Sequence, residues 1–230
     1  MFVDALLSGK IGAGVVAGAQ SKGVLVFIKH FALNDQETNR IGGSVFATEQ
    51  SVREVYLAPF ETSVREADAR GFMASMNRIG TRWSGAHAGL MTNTLRNEWG
   101  FNGVVVTDQA SFSVFAYEDL RAGLEAGTDL WLNTDASLWA LSSDQLTPTV
   151  VTNMQRAGHN IAFAVTNSNA MNGIAADSKI VHVTPLWQWG LYALDVVLGL
   201  LVIFVVFITT RKLITQGPKK KKAEELPSES

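Results

Sequence analysis

The chain has no cysteine at any of its 230 positions, so disulfide scaffolds and thiolate metal sites are excluded. It also lacks an excess of either charge. Nineteen Lys and Arg stand against 21 Asp and Glu, without the global basic bias that points to nucleic acid. Histidine is scarce: His30, His87, His159 and His182 form no i, i+4 pair and no H-E-x-x-H, so no metal centre is indicated. No G-x-G-x-x-G follows an apolar run, which leaves a dinucleotide fold without support. The opening stretch, "MFVDALLSGKIGAG", has neither a basic n-region nor a sustained apolar h-region and does not read as a signal peptide.

What the chain does have is a long apolar run near its end. From Val196 to Ile208 no side chain is polar, and extending the run back through Leu191 makes it long enough to cross a bilayer core of about 30 Å. Trp187, Trp189 and Tyr192 precede the run, where amphipathic rings favour an interface, and Arg211, Lys212 and Lys219 to Lys222 follow it. Asp195 is the discordant residue, about one turn inside the outer boundary. The pattern predicts a membrane-spanning helix over 186–212, partnered by the lipid bilayer. A basic, disordered tail over 213–230 lies in the cytoplasm, and everything before Pro185 lies outside the cell, with 166–185 as a linker. An exported domain without a recognisable export signal points to an inverted topology, or to a chain that is the C-terminal part of something longer.

Residues 1–165 alternate between short apolar runs and helical patterns. The runs are "GVLVFIKH" (23–30), "FMASMN" (72–77), "GVVVTD" (103–108) and "TDLWLN" (128–133). Between them, 47–71 has helical spacing, with Gly71 at its end and Pro59 as an internal break. Residues 84–100 read as a helix with Ser84 as N-cap and Gly100 as stop, and 117–127 as a helix closed by Gly127. "SLWALSS" and "TPTVVTNMQRAGHNIAFAV" read as helical, the latter with Pro148 near its start. Alternating strands and helices predict an α/β fold with a parallel sheet, and non-alternating runs suit strands covered on both faces. Each run ends in polar residues: Lys29-His30, Asn77, Thr107-Asp108 and Asn133. A (β/α) TIM barrel gathers its chemistry at that end of its strands. A closed barrel needs eight strands, and about four βα units can be counted, so a partial barrel is expected.

Asp108, at the end of a β-branched run, suits a nucleophile in glycoside hydrolysis, a metal ligand, or a plain helix N-cap or Asx-turn. Lys29 and His30 would leave a regular strand on opposite sides, unless the strand is already turning. A turning strand can aim both into one pocket, where they donate to sugar hydroxyls or stabilise an anion. The plain alternative is a solvated Lys beside a His packed under a loop.

Three linked stretches, "KHFALNDQETNR" (29–40), "FMASMNRIG" (72–80) and "LRNEWGFNGVVVTDQ" (95–109), together resemble glycoside hydrolase family 3 over residues 10–165. They are closer to its β-glucosidase branch than to its β-N-acetylglucosaminidase branch, which usually has a Gly- and His-rich continuation after KHF. The resemblance implies Asp108 as catalytic nucleophile and Lys29 and His30 as ligands of the sugar beside the cleavage point. It also implies a glycoside or oligosaccharide substrate, retention by double displacement, and no cofactor. The acid/base partner usually comes from a separate α/β domain, and no segment here resembles it, so a missing acid/base domain or barrel half is an implied partner. Two positions depart from the family pattern: Met76 replaces a common Tyr near the sugar, and Gln109 a common Trp. The reading is therefore a membrane-anchored β-glucosidase-like hydrolase, with a non-catalytic carbohydrate-binding barrel remnant as the alternative. A transporter component is disfavoured by the single spanning segment.

Overall fold

A computed structural model describes residues 4–110, 117–133, 139–172, 177–179, 181 and 183–216. The chain divides into two compact units, Met1–Ile174 and Ala175–Ser230.

The first unit is built on a four-stranded sheet of β1 (Ile28–Phe31), β3 (Gly71–Ala74), β6 (Val104–Gln109) and β7 (Leu130–Leu132), in the order β1-β3-β6-β7. All three pairings are parallel, as the non-alternating apolar runs predict. β3 and β6 pair without interruption from Gly71–Val104 to Ala74–Thr107. The flanking pairs are irregular. β1 spends three steps between Ile28 and Phe31 where β3 spends two between Phe72 and Ala74. β6 spends three between Val106 and Gln109 where β7 spends two between Leu130 and Leu132. Such bulges re-aim the side chains they carry.

Helices cover the sheet through an apolar core. α1 (Ala5–Gln20) is capped by Asp4, and its Gly9 lies against Thr62 and Pro59, where a Cβ would be only 2.7 Å from Thr62 Oγ1. Its end is fixed by Gln20, which donates to the carbonyls of Ala67 and Asp68, both at 3.0 Å. α2 (Glu49–Ser51), capped by Thr48, runs through a π-helical turn at Val52–Leu57 into α3 (Ala58–Ala67). Pro59 sits in the first turn of α3, where its missing N–H is harmless, and marks the change of pitch that its position predicts. Beneath them Phe31, Phe60, Phe72 and Phe101 meet mainly edge to face, with centroids 5.1–5.9 Å apart.

Several predicted boundaries shift. The helix before β3 ends at Asp68, which takes the left-handed conformation at φ 48°, so Gly71 opens β3 instead. The stretch 84–100 is a 3₁₀ turn (Ser84–Ala86) followed by a π-helical segment (Gly89–Glu98), and Ser84 caps neither. Its hydroxyl is spent on β1, as described below. Asp119, not Asp108, caps α4 (Leu120–Ala126), and Gly127 closes it at φ 116° as expected. α5 (Pro148–Thr166) is capped by Thr147 with Pro148 at its start. The first residues of "SLWALSS" lie outside the described residues, and a 3₁₀ turn appears only at Ser143–Gln145. A small sheet of β2 (Ser44–Val45), β4 (Arg78–Ile79) and β5 (Arg82–Trp83), which no sequence pattern announced, lies beyond β1 and β3 in the chain.

In the second unit, α6 (Leu186–Gln216) contains a 27-residue stretch, Leu186–Lys212, with an 18-residue window of mean hydropathy 2.8. That is long and apolar enough to cross a membrane. Its start carries Trp189 and Tyr192 in edge-to-face contact, and Gln188 donates to the Tyr192 hydroxyl at 2.8 Å. The predicted tail from Gly217 onward lies outside the described residues.

Candidate active site

The site forms where the parallel strands end. β6 places Val104, Val105 and Val106 in the core and then presents Asp108, whose side chain is 18% exposed. The bulge against β7 sits at this point. Thr107, fully buried, accepts the Leu132 N–H on its Oγ1 at 3.0 Å, so a side chain fills the gap in the ladder. The Asp108 carboxylate then turns back, accepting the Gln109 N–H on Oδ1 at 2.7 Å.

β1 delivers His30 to the same place. His30 Nε2 stands 3.1 Å from Asp108 Oδ2. Burial lowers the His30 pKa below 6.5. The charge of Asp108 opposes that shift, while Lys29 and Arg40 reinforce it. The imidazole is therefore neutral at neutral pH, a donor or acceptor rather than a competing cation. Lys29 is exposed, and among the described residues it makes no hydrogen bond or ion pair. Of the basic pair, the strand end brings His30 to the carboxylate and leaves Lys29 facing solvent.

The chain leaving β1 is held by a belt of small polar side chains. The Lys29–His30 and Phe31–Ala32 peptides are cis, and Leu33, buried, takes φ 63°. A non-glycine residue in that region persists only where its surroundings over-determine it. Here Ser84 Oγ donates to Phe31 O at 2.9 Å and accepts from Ala32 N at 3.3 Å. Ser75 Oγ and Asn77 Nδ2 both donate to Ala32 O, at 3.0 and 3.1 Å. Met76, between them, is buried, and its carbonyl accepts the Tyr117 hydroxyl at 2.8 Å. Burial raises the Tyr117 pKa to about 12, so that donor keeps its proton at any working pH.

Two charged residues of the site were not singled out from sequence. Arg40 closes the "KHFALNDQETNR" stretch, pairs with Glu37 at 2.5 Å, and acts on His30, Tyr117 and Glu118 through its charge. With Asn77 it also lines a cleft of about 100 Å³. Glu118, fully buried after β6, had no signal but its place between Asp108 and α4. Among the described residues no group of three His, Asp or Glu is arranged to hold a metal ion.

The sheet is parallel, with an aspartate at the C-terminal end of an inner strand and a histidine against it. Residues 3–166 match the Glycosyl hydrolase family 3 N terminal domain, and the chain belongs to that family. It is 37% identical over 149 residues to an exo-α-(1→6)-L-arabinopyranosidase of Bifidobacterium longum, covering 63% of this chain and 19% of that one. It is 40% identical over 120 residues to β-glucosidase A of Butyrivibrio fibrisolvens, covering 52% and 14%. Among solved structures it resembles the GH3 β-glucosidase of Bifidobacterium adolescentis, with a TM-score of 0.64 at 31% identity, covering 77% of this chain and 26% of that one. β-Glucosidase 3B of Thermotoga neapolitana, in complex with α-D-glucose, gives 0.62 at 30%, covering 73% and 24%. These relatives are glycoside hydrolases, and the chain spans less than a fifth of the length of the two curated ones.

Proposed function

We propose that this chain carries the nucleophile side of a retaining, β-glucosidase-like glycoside hydrolase, on part of a (β/α) barrel anchored to a membrane by α6. The observation that carries the reading is the 3.1 Å approach of His30 to Asp108 at one end of the parallel sheet. In the first step an Asp108 oxygen attacks the anomeric carbon, the glycosidic C–O bond breaks, and an acylal ester joins sugar to protein. The leaving oxygen takes a proton from a second carboxylic acid. In the second step water attacks the same carbon and releases Asp108, with net retention. His30, neutral and hydrogen-bonding, orients sugar hydroxyls beside the nucleophile. Lys29 extends the same polar rim, and buried Met76 shapes the wall through its backbone contact to Tyr117. The acid/base is a group on a further domain or barrel part that completes the site. The substrate is a glycoside or oligosaccharide, the barrel part faces the outside of the cell, and the chemistry needs no cofactor.

The test is trapping. A fluorinated, activated aryl β-glucoside expels its phenol without acid assistance and stalls at the ester. Mass spectrometry of the whole chain should find one sugar attached, on the peptide containing Asp108. A second reading, a non-catalytic carbohydrate-binding remnant, is favoured by two features: Met76 offers no polar ring, and Gln109, exposed beside the nucleophile, offers no stacking surface. Binding of the glucoside without adduct or phenol release would select it.

A further inference from the structure

The helix α6 is not alike on all sides. At 3.6 residues per turn, Gln188, Tyr192, Asp195, Gly199, Val202 and Val206 fall within an arc of about 80°. The opposite arc carries Leu194, Val197, Leu201 and Phe204. One stripe therefore holds Asp195, the one acidic or basic residue between Leu186 and Thr210, together with the one glycine of the run from Leu191 to Ile208. The bulky apolar side chains point the other way, as they do on a helix that shows one face to lipid and another to a neighbour. A Cβ at Gly199 would meet nothing within 4 Å, so the helix has an open notch one turn below Asp195.

The polar groups of the stripe are not equally served. Gln188 donates to the Tyr192 hydroxyl at 2.8 Å, so these two satisfy each other in part within the helix. Asp195 is exposed and has no hydrogen bond or ion pair among the described residues. Carboxylates within a membrane span are costly, and they face a partner group rather than lipid. The chain offers no cation at that depth, because no Lys or Arg lies between Lys179 and Arg211. A second copy would set acid against acid, which disfavours both charges. Charge complementarity thus selects the occupant of the stripe: a helix that is apolar along its length and basic at one level.

We propose that the stripe from Gln188 to Val206 docks a second transmembrane helix that carries Lys or Arg level with Asp195, with Gly199 as the point of closest approach. This rests on the reading of α6 as a membrane span. Within the bilayer the cation and the Asp195 carboxylate pair, and the notch lets the two backbones come near enough to pack. A chain docked in this way is confined to the same membrane, which raises its effective concentration for any further contact.

The test uses the full chain in phosphatidylcholine vesicles. Because the sequence has no cysteine, Ser230→Cys takes a donor dye at one place only. The probe is a synthetic Leu–Ala helix of about 20 residues, with one Lys a turn inside one end and an acceptor dye at the other. Affinity read by energy transfer should be about tenfold higher for this helix than for the same helix with Leu in place of its Lys. Asp195→Leu should abolish that excess, and Gly199→Ile should reduce it, while Val197→Ile on the opposite arc should leave it unchanged. Asp195→Lys should restore it toward a probe helix bearing Asp instead of Lys. Equal affinity for the Lys and Leu helices, or a charge swap that restores nothing, overturns the pairing. Energy transfer between copies of the chain alone that G199I removes assigns the stripe to a second copy and also overturns it. Co-flotation with the vesicles separates the two readings. A chain that floats with them but prefers neither helix refutes the pairing and leaves the anchor in place, whereas a chain that does not float refutes both.

Discussion

His30 Nε2 and Asp108 Oδ2 come within 3.1 Å although the strands that carry them are not neighbours, β3 lying between. Each of the two sits at a bulge. The contact therefore depends on two local departures from ladder register rather than on strand adjacency.

Replacing Asp108 with Asn keeps the shape and removes the charge. Labelling and phenol release should fall on the order of 10³-fold or more, as expected when a nucleophile is lost. The same variant should lower the His30 pKa further, because the charge that most strongly raises it is gone. NMR titration of the imidazole reads this directly. The sign for stability follows. His30 folds with a pKa below 6.5, so the folded state sheds a proton that the unfolded chain binds, and stability declines as pH falls below 6.5. That acid-side decline should be larger in D108N than in the wild type.

Arg96 and Asp129 make the most deeply buried ion pair among the described residues, 2.6 Å apart with side chains 11% and 0% exposed. Asp129 also accepts from Val105 N and Asn160 Nδ2, both at 2.9 Å, so it clips β6 to α5. Arg96 also donates to the carbonyls of Gly103 and Gly127, both at 3.0 Å. Burial is the leading cause of both shifts, raising the Asp129 pKa and lowering that of Arg96, so attraction does not repay desolvation. Arg96→Ala should destabilise by about 3–5 kcal/mol, because a buried carboxylate loses its counter-charge. An apolar pair, R96M with D129L, should be milder than R96A alone, read by urea denaturation.

Gly103 precedes β6, and a Cβ there would lie 2.1 Å from the Arg70 carbonyl oxygen. That oxygen accepts the Val104 N–H at 3.0 Å and opens the β3–β6 pairing, so it has no freedom to retreat. Gly103→Ala should lose about 1–3 kcal/mol by overpacking. Because β6 carries Asp108, labelling should slow in the same variant, which a thermal melt and the trapping assay measure together.

If Leu186–Lys212 spans a bilayer, the full chain should resist extraction by alkaline carbonate, and a chain ending before Pro185 should not. Loss of both forms into the soluble fraction would remove the anchor from the proposal.

Much of this was legible because buried parallel strands write themselves plainly. Val104 to Val106 announced β6, which runs one residue past Asp108 to Gln109, and Gly127 and Pro148 marked the end of α4 and the start of α5 where expected. What escaped was whatever depends on contacts between distant segments. Ser84 has the composition of an N-cap, yet its hydroxyl is used on β1 across 53 positions of sequence, a tertiary demand that overrides local preference. The bulges carry no signature of their own, since they arise from how β1 and β6 fit β3 and β7. Glu118 was invisible because burial, not spacing, sets its surroundings.

The last strand of the sheet has one consequence for anyone handling the protein. Leu130 and Leu132 are 43% and 46% exposed on β7, which among the described residues has β6 on one side and no strand on the other. An uncovered flank of this kind recruits any extended segment it meets. Association through this flank should then grow with protein concentration, and a capping segment laid along β7 should suppress it.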